Sequence, residues 1–288
     1  MKLTDSNAGE VGTSDVTAIA SATAAFRQFM CYAATTISQA ITGATGLIKN
    51  GVGQLTLSGV CNYTGTTQIN AGTLAITNAS ILNGVISGSG SLTKTGTAIL
   101  TIGGNNNYSG GTSYVAGGTT AYIEYASSNA FGTGVFTVSN AAGRIDTGGN
   151  VTLANNFQIN STSLQIRTLG SNTITITGNI AGVGSLTKSG NGTLILSGTL
   201  TYTGSTAITG LLRAFKTTGA STATATFTAS STSIGVSFNV SPPSGVTTFR
   251  FFAGTTVGTW TIGTLTGVPV GTTATYNSTN STLSVTVP

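Results

Sequence analysis

Apolar and polar residues alternate over short stretches of this chain, and glycines separate the stretches. The strongest regularity is a block that occurs three times, at residues 46–65, 90–110 and 184–204. Each block has a Leu-x-Lys segment, then a Leu-x-Leu or Leu-x-Ile segment, then a Tyr-x-Gly segment. The lysine and the tyrosine are fourteen positions apart in every block. Repetition of this kind indicates an array of similar structural units.

Each block predicts two short strands joined by glycine turns. Residues spaced by two lie on the same side of a strand, and we interpret the leucines as pointing inward and the lysine or threonine as pointing outward. Glycines suit the tight turns between strands. A single coil cannot bury its apolar side alone, whereas stacked coils bury it against each other. We therefore expect an all-β solenoid over residues 46–216, with about seven or eight coils.

The segment before the first block has a different spacing. Between Val16 and Ile41 the apolar residues recur every three or four positions, Ser14 and Asp15 suit a helix N-terminus, and Gly43 supplies a stop. This predicts an α-helix, following a polar arm at residues 1–13. The helix could cap the end of the solenoid. Alternatively it could form an oligomeric coiled coil through a heptad seam of Val16, Ile19, Thr23, Phe26, Met30, Ala33, Ile37 and Ala40.

The chain after Lys216 loses the blocks. A low-complexity run at 217–233 leads into alternating stretches near 234–240, 246–252, 259–262 and 283–287. These predict a β-rich cap or a small antiparallel β-domain. The chain is thus divided into an arm and helix for attachment, oligomerisation or capping at 1–45, a solenoid at 46–216 and a cap at 217–288.

Composition argues against catalysis. The 288 residues include ten Lys plus Arg, five Asp plus Glu and no histidine. Beyond residue 15, Glu124 and Asp146 are the only carboxylates, with Arg144 near the second. Acid–base mechanisms need paired carboxylates or a histidine held close to a nucleophile. We expect no enzymatic activity, no catalytic residues and no cofactor.

Charge and cysteine content exclude further classes. The net charge is +5, but the cations are scattered singly, so we expect no nucleic-acid binding. No stretch reaches the roughly 18 apolar residues of a membrane span, so we expect no membrane insertion. Cys31 and Cys61 are interpreted as small buried hydrophobic residues. A disulfide between them is not predicted, and the ligands that a metal site would need are missing.

The blocks resemble the autotransporter-associated β-strand repeat, also called the passenger-associated transport repeat. Its pattern is roughly G-x-L-x-K-x-G-x-G-x-L-x-L-S-G-x-N-x-Y-x-G-x-T, and the match is specific from Gly184 to Gly204 and good from Gly46 to Gly72. The resemblance implies a right-handed parallel β-helix. It also implies an adhesin or another bacterial surface protein.

Two functions are therefore considered. Residues 1–15 lack a recognisable secretory signal and no translocator barrel follows, which favours a structural virion protein such as a bacteriophage fibre or capsid decoration protein. The alternative is an extracellular adhesin, a passenger-like protein or a surface-layer module. A carbohydrate-active β-helix enzyme using Glu124 and Asp146 is a third, weaker interpretation.

Either leading role predicts a homo-oligomer, with a trimer as one option. It also predicts contacts to other virion or cell-surface proteins, and a surface glycan is a candidate ligand.

Two repeated residue types are candidates for contact with a ligand. The lysines Lys49, Lys94 and Lys188 could form an exposed ladder that binds an anionic surface, or could be ordinary solvated positions. The tyrosines Tyr63, Tyr108 and Tyr202 could stack on sugars, but packing beside a turn is the preferred interpretation.

Overall fold

The structure is a computed structural model, and it consists of two compact units, Met1–Asp146 and Thr147–Pro288. It describes residues 2–5, 9–11, 26–115, 120–139, 142–204, 206–208, 210–214, 225–229, 233–238, 245–250, 261–266, 270–271, 273–277 and 282–287. Within these ranges the chain forms strands and turns, and no helix.

The strands of the first unit are short, mostly three to five residues each. They are β1 (Lys2–Asp5), β2 (Gly9–Val11), β3 (Phe26–Met30), β4 (Thr35–Ile37), β5 (Ile41–Gly43), β6 (Gly46–Asn50), β7 (Gln54–Leu57), β8 (Cys61–Tyr63), β9 (Thr67–Ile69), β10 (Thr73–Ile76), β11 (Ser80–Leu82), β12 (Ile86–Ser87), β13 (Ser91–Lys94), β14 (Leu100–Ile102), β15 (Thr112–Tyr114), β16 (Ile123–Tyr125), β17 (Phe136–Val138) and β18 (Gly143–Thr147), whose last residue belongs to the second unit.

The strands of the second unit continue in chain order. They are β19 (Val151–Leu153), β20 (Phe157–Ile159), β21 (Ser163–Thr168), β22 (Thr173–Ile176), β23 (Ile180–Gly182), β24 (Ser185–Ser189), β25 (Thr193–Leu196), β26 (Thr206–Ile208), β27 (Gly210–Ala214), β28 (Ala225–Ala229), β29 (Ser233–Phe238), β30 (Gly245–Arg250), β31 (Thr261–Thr266), β32 (Thr273–Asn277) and β33 (Thr282–Val287).

The first unit winds into three-sided coils, and successive strands go to successive sheets. The first sheet has the order β12-β9-β6-β3-β1-β2, the second β17-β15-β13-β10-β7-β4 and the third β18-β16-β14-β11-β8-β5. Strands of neighbouring coils pair in parallel, whereas β1 covers the edge at β3 with antiparallel pairing. An antiparallel cover of this kind protects an edge from pairing with another chain.

The second unit begins with the same type of winding. Parallel pairs join β19, β22, β25 and β27, then β20 with β23, and β21 with β24 and β26. The parallel windings are those of a β-solenoid, with about eight coils among the described residues before β28, as expected.

The last strands leave this pattern. Strands β27, β28 and β29 pair antiparallel, β31 adds to β29 in parallel, and β30, β33 and β32 form a separate antiparallel sheet. Each of the four stretches predicted near residues 234–287 overlaps a strand, namely β29, β30, β31 and β33. The roles assigned to the three parts of the chain stay predictions.

The helix predicted for residues 16–41 is wrong for residues 26–41, and residues 16–25 lie outside the described part. Strands β3, β4 and β5 occupy that segment and pair in parallel with β6, β7 and β8. The capping helix and the heptad seam therefore fail from Phe26 onward. Spacings of four and eight residues put Phe29, Ile37 and Ile41 on one helical face, but they equally place these residues in the solenoid interior, where they are buried. Pairing with the next coil overrides the local helical preference of an alanine-rich stretch.

Successive coils approach to backbone contact at the turn after each repeated lysine. Gly96 and Gly190, two residues after Lys94 and Lys188, have φ angles of +67° and +76°. A Cβ atom on Gly96 would lie 2.2 Å from the carbonyl oxygen of Thr77, and one on Gly190 would lie 2.0 Å from that of Thr168. Both the left-handed conformation and the contact require glycine. This explains the Lys-x-Gly spacing of the blocks.

We expect Gly190→Ala to destabilise the second unit by more than about 2 kcal/mol, because the methyl group collides with a backbone oxygen that cannot move aside. Gly148→Ala is the matched control, since nothing lies within 4 Å of a Cβ atom built there. Urea unfolding of the two variants and the parent measures the effect. Equal losses in both variants would contradict the stacking explanation.

Candidate functional site

The three repeated lysines are inside the solenoid. Lys49, Lys94 and Lys188 are each 0% exposed. Each follows a buried leucine at a distance of two residues, as Lys49 follows Leu47. The two side chains therefore lie on the same, inward side of their strand.

The ammonium groups are held by turn carbonyls. Lys49 Nζ donates to the carbonyl oxygens of Asn50, Gly51 and Ala71 at 3.1, 2.7 and 3.0 Å. The other two lysines use the same one- and two-residue offsets. Lys94 Nζ donates to Thr95 O at 2.5 Å and Gly96 O at 3.1 Å, and Lys188 Nζ donates to Ser189 O and Gly190 O, both at 2.8 Å.

The prediction that the lysine side chains point outward is therefore wrong. Period-two alternation itself requires the lysine to share the side of its leucine, and the hydrogen bonds to carbonyls compensate the ammonium group for the water it loses. The hypothesis that the three lysines form an exposed ladder is wrong for the same reason. Lys49 lies in β6 of the first sheet and Lys94 in β13 of the second, so these two repeats begin on different sides of the solenoid.

Burial perturbs the titration of these lysines. Loss of hydration lowers the pKa of Lys94 and of Lys188 to about 8 from an ordinary value of 10.5. It also lowers the pKa of Lys49, an effect that the neighbouring Cys31 opposes. Desolvation acts in this direction because it disfavours the charged form.

The repeated tyrosines pack in the interior, as the preferred interpretation held. Tyr63, Tyr108 and Tyr202 are buried. The hydroxyl groups of Tyr63 and Tyr108 are hydrogen-bonded to the hydroxyl groups of Thr67 and Thr112, four residues later, at 2.7 and 2.5 Å. The final threonine of the repeat pattern thus provides the polar partner that a buried tyrosine hydroxyl requires. Stacking of these rings on sugars is excluded by their burial.

The two carboxylates considered for catalysis occupy different environments. Glu124 is exposed on β16, where Thr101 Oγ1 donates to its Oε2 at 3.5 Å. Asp146 is 2% exposed and forms an ion pair with Arg144, whose Nε donates to Asp146 Oδ1 at 2.7 Å. The guanidinium carbon of Arg144 lies 4.4 Å from the centre of the Tyr122 ring. Asp146 is engaged structurally and is not placed beside Glu124 on an accessible surface.

The cysteines are free and buried, which agrees with their interpretation as small hydrophobic residues. Burial raises the pKa of the Cys61 thiol to about 11 and also raises that of Cys31.

Among the described residues, no group of three or more His, Cys, Asp or Glu side chains could hold a metal ion. The same part of the chain contains no helix of the length and hydrophobicity that crossing a bilayer requires.

Sequence reasoning missed two buried polar residues that join neighbouring strands and turns. Arg27 is buried and donates to the carbonyl oxygens of Thr42 and Thr45 at 2.6 and 2.7 Å. Asn106 donates to Ala130 O and accepts from the backbone N–H of Ile86, both at 2.7 Å. Arg27 is two residues before the buried Phe29, so strand alternation could have revealed it once the segment was recognised as a strand. Asn106 occupies the asparagine position of the repeat pattern, two residues before Tyr108, where the other two blocks have Cys61 and Leu200, so the pattern could have revealed it.

These features define a class of protein: a parallel β-solenoid built from glycine-punctuated repeats, with a lysine and a tyrosine locked inside each repeat. Three segments, residues 47–76, 92–121 and 186–210, match the family model described as the passenger-associated-transport repeat. The chain is therefore a carrier of this repeat, and the resemblance stated from its blocks is confirmed. No curated protein matches the chain significantly, and neither does any solved structure.

We expect Lys188→Met to lower the free energy of unfolding by about 1–3 kcal/mol. Methionine fills the apolar part of the lysine position but removes the ammonium donor of Gly190 O and the shorter of the two hydrogen bonds to Ser189 O, which also accepts from Thr168 Oγ1. Thr187→Val is the control, because it changes the adjacent outward residue and should alter stability by less than about 0.5 kcal/mol. Denaturant titration measures both. A methionine variant as stable as the parent would show that the lysine hydrogen bonds contribute nothing net.

The solenoid should become more stable as the pH rises from 8 to 9. In this range folded Lys94 and Lys188 lose protons that the unfolded chain retains, so folding releases protons and the free energy of unfolding increases, by about 1–2 kcal/mol. The cysteines oppose part of this rise from about pH 8 upward, because their thiols ionise near pH 9 in the unfolded chain but stay protonated in the folded one, where burial raises their pKa values. Above pH 10 stability should fall, since the unfolded tyrosines ionise while buried Tyr63 and Tyr108, whose pKa values are raised, do not.

Denaturant unfolding in buffers from pH 7.5 to 11 tests this profile. The double variant Lys94→Met, Lys188→Met should lose the rise between pH 8 and 9 but keep the fall above pH 10. A parent protein whose stability declines steadily from pH 8 would contradict the assignment.

Proposed function

We propose that this chain is a bacterial cell-surface or secreted structural module, similar to the passenger of an autotransporter, and that it has no catalytic activity. The observation that carries the proposal is the threefold match to the passenger-associated-transport repeat, at residues 47–76, 92–121 and 186–210. The parallel β-solenoid is the architecture that these repeats require, because each repeat buries its apolar side only against its neighbours.

The interior chemistry is compatible with a role outside the cell. The repeated lysines and tyrosines take their partners from turn carbonyls and from a threonine, so the described coils need no cofactor or metal for these contacts. Buried cysteine thiols with raised pKa values are unreactive, and so tolerate an oxidising environment. A solenoid of this kind provides surface area rather than a reaction centre.

A virion fibre or decoration protein has weaker support. That interpretation depends on the recurrence of β-solenoids in virus particles, and one fold serves many functions. The repeat matches support the cell-surface role directly, and we adopt that role.

The non-catalytic part of the proposal has its own support. Glu124 is exposed and bound only weakly to Thr101, whereas Asp146 is buried in an ion pair with Arg144. Neither carboxylate has the arrangement of a paired acid and base. We therefore propose that activity, if assayed on polysaccharides, is absent.

We expect antibodies raised against the purified chain to label intact cells that carry its gene. Immunogold electron microscopy measures the labelling, and an antibody against a cytoplasmic protein is the control for cell integrity. Labelling that appears only after permeabilisation would refute surface display. Labelling confined to released virus particles would favour the virion role instead.

A further inference from the structure

One long segment of the first unit, residues 26–115, presents no charged side chain on its outer surface. Residues 26–115 contain three charged side chains, Arg27, Lys49 and Lys94. All three are buried and bound to backbone carbonyl oxygens. Over this segment the described surface therefore presents only neutral groups to solvent, although the chain as a whole is basic.

The second sheet carries a row of hydroxyl groups on this neutral surface. One outward residue per coil lies in register with the next, on strands about 4.8 Å apart. Five of the six members carry a hydroxyl group, and the sixth, Ala75, is buried and interrupts the row. The row is Thr36, Thr56, Ala75, Thr93, Ser113 and Thr137.

A second, shorter row lies beside it and completes what we call the hydroxyl face. Gln54, Thr73 and Ser91 are in register on β7, β10 and β13. Gln54 Nε2 donates to Thr56 Oγ1 at 2.9 Å, and the hydroxyl groups of Thr73 and Ser91 are 3.0 Å apart. The polar groups therefore hold one another in defined orientations.

Exposed apolar side chains border one end of this face. Tyr32 is 73% exposed and Val52 is 78% exposed, and each lies in the turn that leads into the second sheet. Gly51 and Gly53 stack on Cys31 and Ala33, so Val52 occupies the position of Tyr32 in the next coil. An exposed tyrosine ring beside oriented hydroxyl and amide groups provides both apolar contact and hydrogen bonds.

We propose that the hydroxyl face, together with Tyr32 and Val52, binds a neutral polysaccharide. Uncharged hydroxyl-rich chains suit it because they match a face that offers donors and acceptors but no charge. An anionic polymer would find no cation, and a cationic one no carboxylate. The row repeats once per coil, as the sugar units of a linear glycan repeat along its chain. This inference rests on the proposed surface location for its biological setting, but the binding itself does not require it.

The test is binding of the purified full chain to a panel of neutral polysaccharides, namely dextran, galactomannan and β-glucan, with alginate and chitosan as charged comparisons. We expect at least one neutral polymer to bind, with an affinity that changes by less than about twofold between low and high salt, because no ion pairs contribute. Calorimetry or affinity electrophoresis measures the affinity.

Variants locate the site. Thr56→Val with Thr93→Val removes two hydroxyl groups from outward positions and should weaken binding about tenfold. Tyr32→Ala should weaken it further. Gln54→Glu places a charge on the face, and Gln68→Glu, an identical change on the outward side of the first sheet, is the matched control that should leave binding unchanged.

The binding measurements either support or overturn the proposal that the hydroxyl face binds a neutral polysaccharide. Binding to a neutral polymer that the face variants weaken and Gln68→Glu does not would support it. Binding to no neutral polymer, binding only to charged polymers, or equal effects of Gln54→Glu and Gln68→Glu would overturn it. Self-association that the face variants abolish, without sugar binding, would assign the face to a second copy and also overturn it. Failure of surface labelling on cells would refute the proposed function alone.

Discussion

The whole solenoid depends on the close stacking of each coil on the one before it. Parallel strands exchange backbone hydrogen bonds from coil to coil, and the turns approach until glycine is required. A column of glycines shows this in the first unit: Cβ atoms built on Gly65, Gly84 and Gly104 would lie 2.1–2.4 Å from the backbone of the glycine one coil earlier. Because the turns are so close, no side chain can enter between them from outside.

The stacking of the coils also explains why the lysine of each repeat lies in the solenoid interior. The carbonyl oxygens at the turn after each Leu-x-Lys strand lie within reach of the interior, and a buried acceptor that lacks partners is costly. The lysine reaches along the interior and donates to two or three of them at once. Its ammonium group is the only side-chain group with three donors and no acceptor, which suits a cluster of carbonyls. The lowered pKa values of Lys94 and Lys188 reflect the remaining cost of dehydration.

Burial of the cations leaves neutral residues at the outward positions of residues 26–115. Outward positions do not fill the interior, so the fold restricts their identity less than it restricts that of the inward positions. On the second sheet these positions are mostly threonine and serine, whereas the third sheet presents Glu124 and Arg144. The sides of one solenoid can therefore carry different binding properties on an identical backbone.

Much of the fold could be predicted from the residues alone. The threefold block, its glycines and its Leu-x-Leu alternation determined a parallel β-solenoid, because only stacking buries such short strands. The alternation also determined that Lys49 shares the side of Leu47, and the prediction failed because the charge of lysine was given more weight than strand geometry. The tyrosines were predicted correctly, although the threonine that satisfies them was not identified as their partner.

Only the tertiary structure decided the rest. Residues 26–43 form strands because they pair with β6, β7 and β8 about twenty residues away, and apolar spacing within an alanine-rich segment cannot distinguish that outcome from a helix. The function of the lysines was equally hidden, because their partners are backbone carbonyl oxygens, which every residue has. The neutrality of the surface followed from that burial: the sequence determined how many charges the segment contains, and the packing of the coils decided that none of them faces the solvent.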